Sequence, residues 1–179
     1  MKVVEVRRHS VRDKPEPDLS PAGRALAREV GGRVGPFQRC VSSPVPRAVQ
    51  TAEAMGFPPT ELDPLWGTIS ETVVQEIGWP APFWRVKAAV LHDGPSARFG
   101  DLLLGSVRSQ LAQVQDRGAL LITTHGGFPE LLAVRALPQL DPRPWGGVLR
   151  CMEGVRLSFQ DGTPHRIEIL RVPEERTRI

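Results

Sequence analysis

Cysteine is scarce in this sequence. Cys40 and Cys151 lie far apart and show no CxxC spacing, which leaves both a disulfide framework and a cysteine metal site without support. Lysine is nearly absent as well: Lys2, Lys14 and Lys87 are the only ones, so the 23 basic residues are almost all arginine. They outnumber the 20 acidic residues by three, and no run of five or more Lys/Arg appears, which argues against a nucleic-acid partner. No stretch is apolar for 18 residues, and the first residues lack an apolar signal-like core. The expectation is a soluble, cytoplasmic protein with no membrane partner. No internal repeat or low-complexity segment is seen. What remains is ordinary for a globular protein: 40% apolar and 24% charged residues in a chain of 179, enough for one domain with a sizeable core.

The chain opens on Val3-Val4-Glu5-Val6, an alternating β-branched strand, which changes abruptly into Arg7-Arg8-His9-Ser10 and a proline-broken loop. Ser20 and Pro21 suit the N-cap and first position of a helix that Gly31-Gly32 stops. A second strand over 37–41 ends at Ser42-Ser43-Pro44, and a helix over 47–55 follows. From 62 to 112 the pattern weakens; prolines, glycines, Trp66, Trp79 and Trp84 suggest an insertion able to form a lid, with a short helix near 83–91. A helix over 101–115 leads to Ala119-Leu120-Leu121-Ile122-Thr123-Thr124, a continuous apolar run of the kind buried on both faces. His125-Gly126-Gly127 and a helix over 129–134 come next. Strands over 155–159 and 165–170 flank the turn Gln160-Asp161-Gly162-Thr163. This order predicts a three-layer α/β/α sandwich with a mostly parallel mixed sheet and a small lid insertion: one domain over 1–179, with 62–112 as the lid.

Three strand ends carry similar groups: Arg8-His9, then Ser42-Ser43-Pro44 with Arg47 a turn further on, then His125. Parallel strands place their carboxyl ends on one edge, where ligands bind in open α/β sheets. Arginines grip oxyanions bidentately, helix N-termini add N–H donors, and a histidine among them can attack phosphorus.

These residues resemble the histidine phosphatase superfamily, the phosphoglycerate-mutase-like proteins. Arg8-His9-Ser10 is similar to that family's Arg-His-Gly signature. Residues 42–52, from Ser42-Ser43-Pro44 through Arg47-Ala48 to Gln50-Thr51-Ala52, resemble its Ser-Ser-Pro-x-x-Arg-Ala-x-Gln-Thr-Ala box. Leu19-Ser20-Pro21-Ala22-Gly23 and Thr124-His125-Gly126-Gly127 resemble two further boxes, so the likeness spans residues 3–127.

The resemblance implies that His9 is the nucleophile and becomes phosphohistidine. It implies that Arg8, Arg47 and His125 hold the phosphoryl oxygens, with His125 counted among the catalytic groups. A carboxylate from the insertion would be the general acid. Glu71, 24 residues after Arg47, fits the usual placement, and Glu76 is its competitor. Arg12 resembles the second arginine of the acid-phosphatase branch and would add a phosphate contact. Ser10 departs from the signature glycine and would either crowd the backbone or donate a hydrogen bond to the phosphate. His92 and His165 read as surface residues. No cofactor and no metal are implied. The expected activity is a metal-independent phosphatase acting on a small phosphorylated substrate, with a homodimer left open. A mutase, a protein-phosphohistidine phosphatase and a non-catalytic phospho-ligand-binding relative are the other readings. The protein-phosphohistidine reading, whose leaving imidazole needs less help from an acid, gains if neither Glu71 nor Glu76 reaches the pocket.

Overall fold

A strand that is apolar without interruption needs cover on both faces, and the sheet provides it. The computed structural model describes residues 1–13, 15–173 and 176. Its strands are β1 (Lys2–Arg8), β2 (Arg39–Ser42), β3 (Glu61–Leu62), β4 (Ala119–Thr124), β5 (Gly154–Gln160) and β6 (Thr163–Leu170). They form one sheet in the order β3-β2-β4-β1-β5-β6. The pairs β2–β3, β2–β4 and β1–β4 are parallel, whereas β1–β5 and β5–β6 are antiparallel. Successive side chains of a strand face opposite ways. Leu120 and Ile122 therefore enter the larger apolar cluster and Leu121 the smaller one on the other side.

The helices are α1 (Pro21–Gly31), α2 (Pro46–Ala54), α3 (Glu71–Ile77), α4 (Phe83–Val90), α5 (Pro95–Ala112) and α6 (Phe128–Ala136). Residues of α1 and α2, among them Leu26, Ala27 and Ala52, fill the smaller cluster, and α3 to α6 fill the larger. The result is the expected α/β/α layering of a mixed sheet flanked by helices. Ser20 caps α1 by accepting the N–H of Gly23 at 2.9 Å, a contact of about 1 kcal/mol in similar helices.

The stretch 62–112 contributes heavily to the core, and its Trp79 lines the cleft described below. Trp66, Val73, Ile77, Phe83, Leu103 and Val107 lie buried in the larger core, because α3, α4 and α5 form most of one helical layer. The helix expected over 101–115 begins at Pro95, with Gly94 as its N-cap. Gly100 and Gly105 inside it interrupt the periodic signal that marks a helix in sequence. Helix α3, capped by Ser70, and the two-residue β3 were not expected. Among the described residues no helix is long and apolar enough to cross a membrane.

Candidate active site

The register of the parallel strands brings the site together. Arg8 pairs with Thr124 and Ser42 with Thr123, so β1, β2 and β4 end at one level. Just beyond, His9 N–H donates to Thr124 O at 2.7 Å and Ser43 N–H to Thr123 O at 2.9 Å. A cleft of about 710 Å³ opens there, and Arg8, His9, Arg12, Arg47 and His125 all line it.

The two histidines have defined hydrogen-bond partners, and for His9 the partner fixes the proton. His9 Nδ1 lies 2.6 Å from the Ser10 carbonyl oxygen. A carbonyl only accepts, so Nδ1 carries the proton and Nε2 keeps its lone pair. His9 is 7% exposed. Burial pulls its pKa down to about 3 against the opposing bond to Ser10, and His125, Arg47 and Arg8 add to the fall. His125 Nε2 lies 2.8 Å from Ser43 Oγ, and that oxygen already accepts the Val45 N–H at 3.2 Å. When the Ser43 hydroxyl donates to Nε2, His125 carries its own proton on Nδ1; a hydroxyl also has a second lone pair, so the opposite tautomer, Nε2–H donating to Oγ, satisfies the same contact. Burial, then Arg47 and Arg8, bring the His125 pKa to about 4. The two rings meet edge-on with centroids 5.3 Å apart.

Among the described residues three buried nitrogens have no hydrogen-bond partner: Arg8 Nε, Arg47 Nε and His125 Nδ1. The two arginine Nε atoms carry an N–H, as does His125 Nδ1 when Ser43 donates to Nε2, and leaving such a donor unpaired costs about 1–3 kcal/mol. In that tautomer three unpaired donors on groups lining one cleft fit an oxyanion with several acceptor oxygens. The Arg47 pKa is lowered by burial and by Arg12 and Arg8, as expected where cations crowd one another. Arg8 is anchored from behind, where Nη1 donates to Leu149 O at 2.8 Å. Arg12 donates to Glu16 O at 3.1 Å and holds the loop after β1 at the cleft's edge.

Ser10 does not reach the anion position. Its hydroxyl donates to Gly23 O at 2.8 Å, its N–H donates to Thr51 Oγ1 at 2.9 Å, and it is fully buried. The expected contact from Ser10 to phosphate is therefore wrong, because the side chain is spent on α1. The tight fit lies on the opposite partner: a Cβ on Gly23 would stand 2.0 Å from Val11 O. Gly126 is equally confined, since a Cβ there would meet Trp79 Cζ2 at 2.8 Å and Arg8 Nη1 at 3.2 Å.

The proton-donor expectation needs correction. Glu71 is the first residue of α3, exposed, and its Oε1 accepts from Gln75 Nε2 at 3.0 Å. It does not line the cleft. Glu76 is committed elsewhere, accepting the Ser96 N–H at 2.7 Å near the start of α5. Both fail for one reason: residues 71–77 are drawn into a helix that packs on the core. Asp13 is the carboxylate among the cleft-lining residues. Trp79, Asp13 and Cys151 line the cleft without having been singled out for the site, and Ser43 was seen only as part of a motif box. The signal available for Ser43 was its place in that box; Trp79 had none beyond being aromatic. His92 and His165 are exposed, as expected.

Fold and site together define an α/β protein with an arginine- and histidine-lined cleft at the carboxyl edge of its parallel strands. Residues 4–77 match the family model of the histidine phosphatase superfamily, branch 1. That stretch carries Arg8, His9 and Arg47; His125 lies beyond it. No curated protein matches the sequence. The fold is shared with phosphoserine phosphatase from Entamoeba histolytica, solved with 3-phosphoglyceric acid (16% identity, 97% of this chain and 98% of that one, TM-score 0.66). It is also shared with YhfR from Bacillus stearothermophilus (18%, 92% and 95%, 0.64) and with phosphoglycerate mutase from Bacillus anthracis (16%, 94% and 92%, 0.58).

Proposed function

We propose that this protein is a metal-independent phosphatase that works through phosphohistidine on His9. The observation that carries the reading is the pairing of a neutral His9, its Nε2 lone pair free, with the unpartnered N–H donors of Arg8, Arg47 and, in its Nδ1–H tautomer, His125. The donors hold the phosphoryl oxygens, and Nε2 attacks phosphorus. The bond from phosphorus to the leaving group breaks, and the leaving group takes the electron pair. Water then attacks phosphorus, the N–P bond breaks, inorganic phosphate departs, and His9 is restored. Fixed positive charge stabilises the equatorial oxygens of the transferring group. The solved relatives named as phosphatase and mutase support phosphoryl transfer in general.

One observation favours a narrower reading, a protein-phosphohistidine phosphatase. Neither Glu71 nor Glu76 lines the cleft, so no acid from the insertion stands ready to protonate an alkoxide. Guanidinium cannot supply that proton either. Leaving groups that depart without much protonation, an imidazole or an acidic phenol, suit such a site best.

The test is turnover of an aryl phosphate, an alkyl phosphate and a phosphohistidine peptide, each with and without chelator. Chelator-insensitive hydrolysis, with the alkyl phosphate slowest by about 10²-fold or more, is expected where no acid from the insertion helps and Asp13 does not take its place. No hydrolysis of any of the three overturns the phosphatase. Alkyl and aryl phosphates turned over at equal rates overturn the narrower reading alone.

A further inference from the structure

One buried carboxylate ties together, from beneath, two segments that support the cleft. Glu130 stands in the first turn of α6 and is fully buried. Its Oε2 accepts the N–H of Gly127 at 3.0 Å, and its Oε1 accepts the N–H of Leu149 at 2.9 Å. The first contact is ordinary helix capping by the third residue of a helix. The second is not, since it reaches a loop 19 residues further along the chain. Leu149 in turn offers its carbonyl to Arg8 Nη1 at 2.8 Å. An unbroken path thus runs from the segment that carries His125, through Glu130 and Leu149, to Arg8.

The charge arrangement has the same sense. Burial pushes the Glu130 pKa up, while backbone N–H donors and, more weakly, the charge of Arg8 oppose the rise; no direct ion pair joins Glu130 to Arg8 among the described residues. A carboxylate in contact with the guanidinium would occupy donors that an oxyanion needs. Set behind a peptide group, it offsets the charge of Arg8 while Arg8 Nε stays unpartnered. Both partners of the Glu130 carboxylate are N–H donors, so both of its oxygens must accept. Glutamine turns an NH₂ toward one of them and breaks one side of the link.

We propose that Glu130 is a positioning residue for the anion site. It holds the His125 segment and the backbone anchor of Arg8 in one register, so that Arg8 Nε and His125 Nδ1 converge on the same oxyanion. The proposal rests on the reading of the cleft as a phosphate site, and its test has a readout that needs no turnover.

Inorganic phosphate binding is measured by calorimetry on the wild type, E130Q and E130D, beside kcat, KM and Tm. E130Q should bind phosphate at least about tenfold more weakly and lose about 10–100-fold in kcat while folded at the assay temperature, as small misplacements of binding groups do. E130D keeps both acceptors and the charge, retracted by one methylene, and should recover part of both losses. A purely structural cap would lower Tm alone. Phosphate affinity and kcat within about threefold of wild type in folded E130Q would overturn the proposal. If E130Q does not fold, E130D decides: weaker phosphate binding supports the link, and unchanged binding overturns it. A wild type that binds phosphate but hydrolyses nothing removes the phosphatase reading and leaves Glu130 to be judged by affinity. A wild type that binds no phosphate overturns both.

Discussion

His9 Nδ1 donates to the carbonyl oxygen of Ser10, its own neighbour, at 2.6 Å. This bond fixes which nitrogen of the ring is free, and it comes from backbone that the β1 loop and α1 hold in place. The free nitrogen is the one the proposed chemistry needs. Replacing His9 with alanine should abolish turnover by at least about 10³-fold, as deletion of a nucleophile does. The fold should survive, because the side chain makes one hydrogen bond and that is local. Near wild-type turnover by a folded His9→Ala protein would exclude the covalent route.

Ser43 does for His125 what the Ser10 carbonyl does for His9. When its hydroxyl donates to Nε2, the Nδ1 proton is left for the anion. Ser43→Ala should reduce kcat/KM by about 10–100-fold, the usual loss when the partner that orients a histidine is removed. Steady-state kinetics would check this, and an unchanged kcat/KM would show that His125 needs no such support.

Glu71→Gln should leave turnover of alkyl and aryl phosphates close to wild type, because Glu71 does not line the cleft, and an exposed substitution of this kind changes stability by only about ±0.5 kcal/mol. Glu71 is exposed and bonded to Gln75. A large loss confined to alkyl phosphates would mean that α3 carries Glu71 over the cleft during the reaction.

The buried histidines should also make stability depend on pH. In the folded protein His9 takes up a proton near pH 3 and His125 near pH 4, while both do so near 6.5 when unfolded. Between those values the unfolded chain holds more protons, so stability falls as pH drops below 6.5 toward 3. Urea midpoints from pH 7.5 to 4 would measure the slope. His9→Asn should flatten it, and an equal slope in wild type and variant would show that His9 is not the cause.

Local chemistry determined a good deal here. The uninterrupted apolar run at 119–124 can only be a strand covered on both faces, and Ser20-Pro21 can only begin a helix well. Arg8, His9, Arg47 and His125 were legible because each ends, directly follows, or lies a turn or so beyond a strand whose ending is written in the residues beside it. Tertiary structure decided the rest. Whether Glu71 reaches the phosphate depends on where α3 packs, and that follows from Val73 and Ile77 entering a core built by distant segments. Ser10 seemed able to serve the anion until α1 placed the Gly23 carbonyl against its hydroxyl. Glu130 looked like one more polar residue at a helix start; its second partner, Leu149, is brought to it only by the packing of loops far apart in the chain. Strand ends and caps are set by neighbours within a few residues, whereas the partners of a buried polar group are set by every element that closes around it.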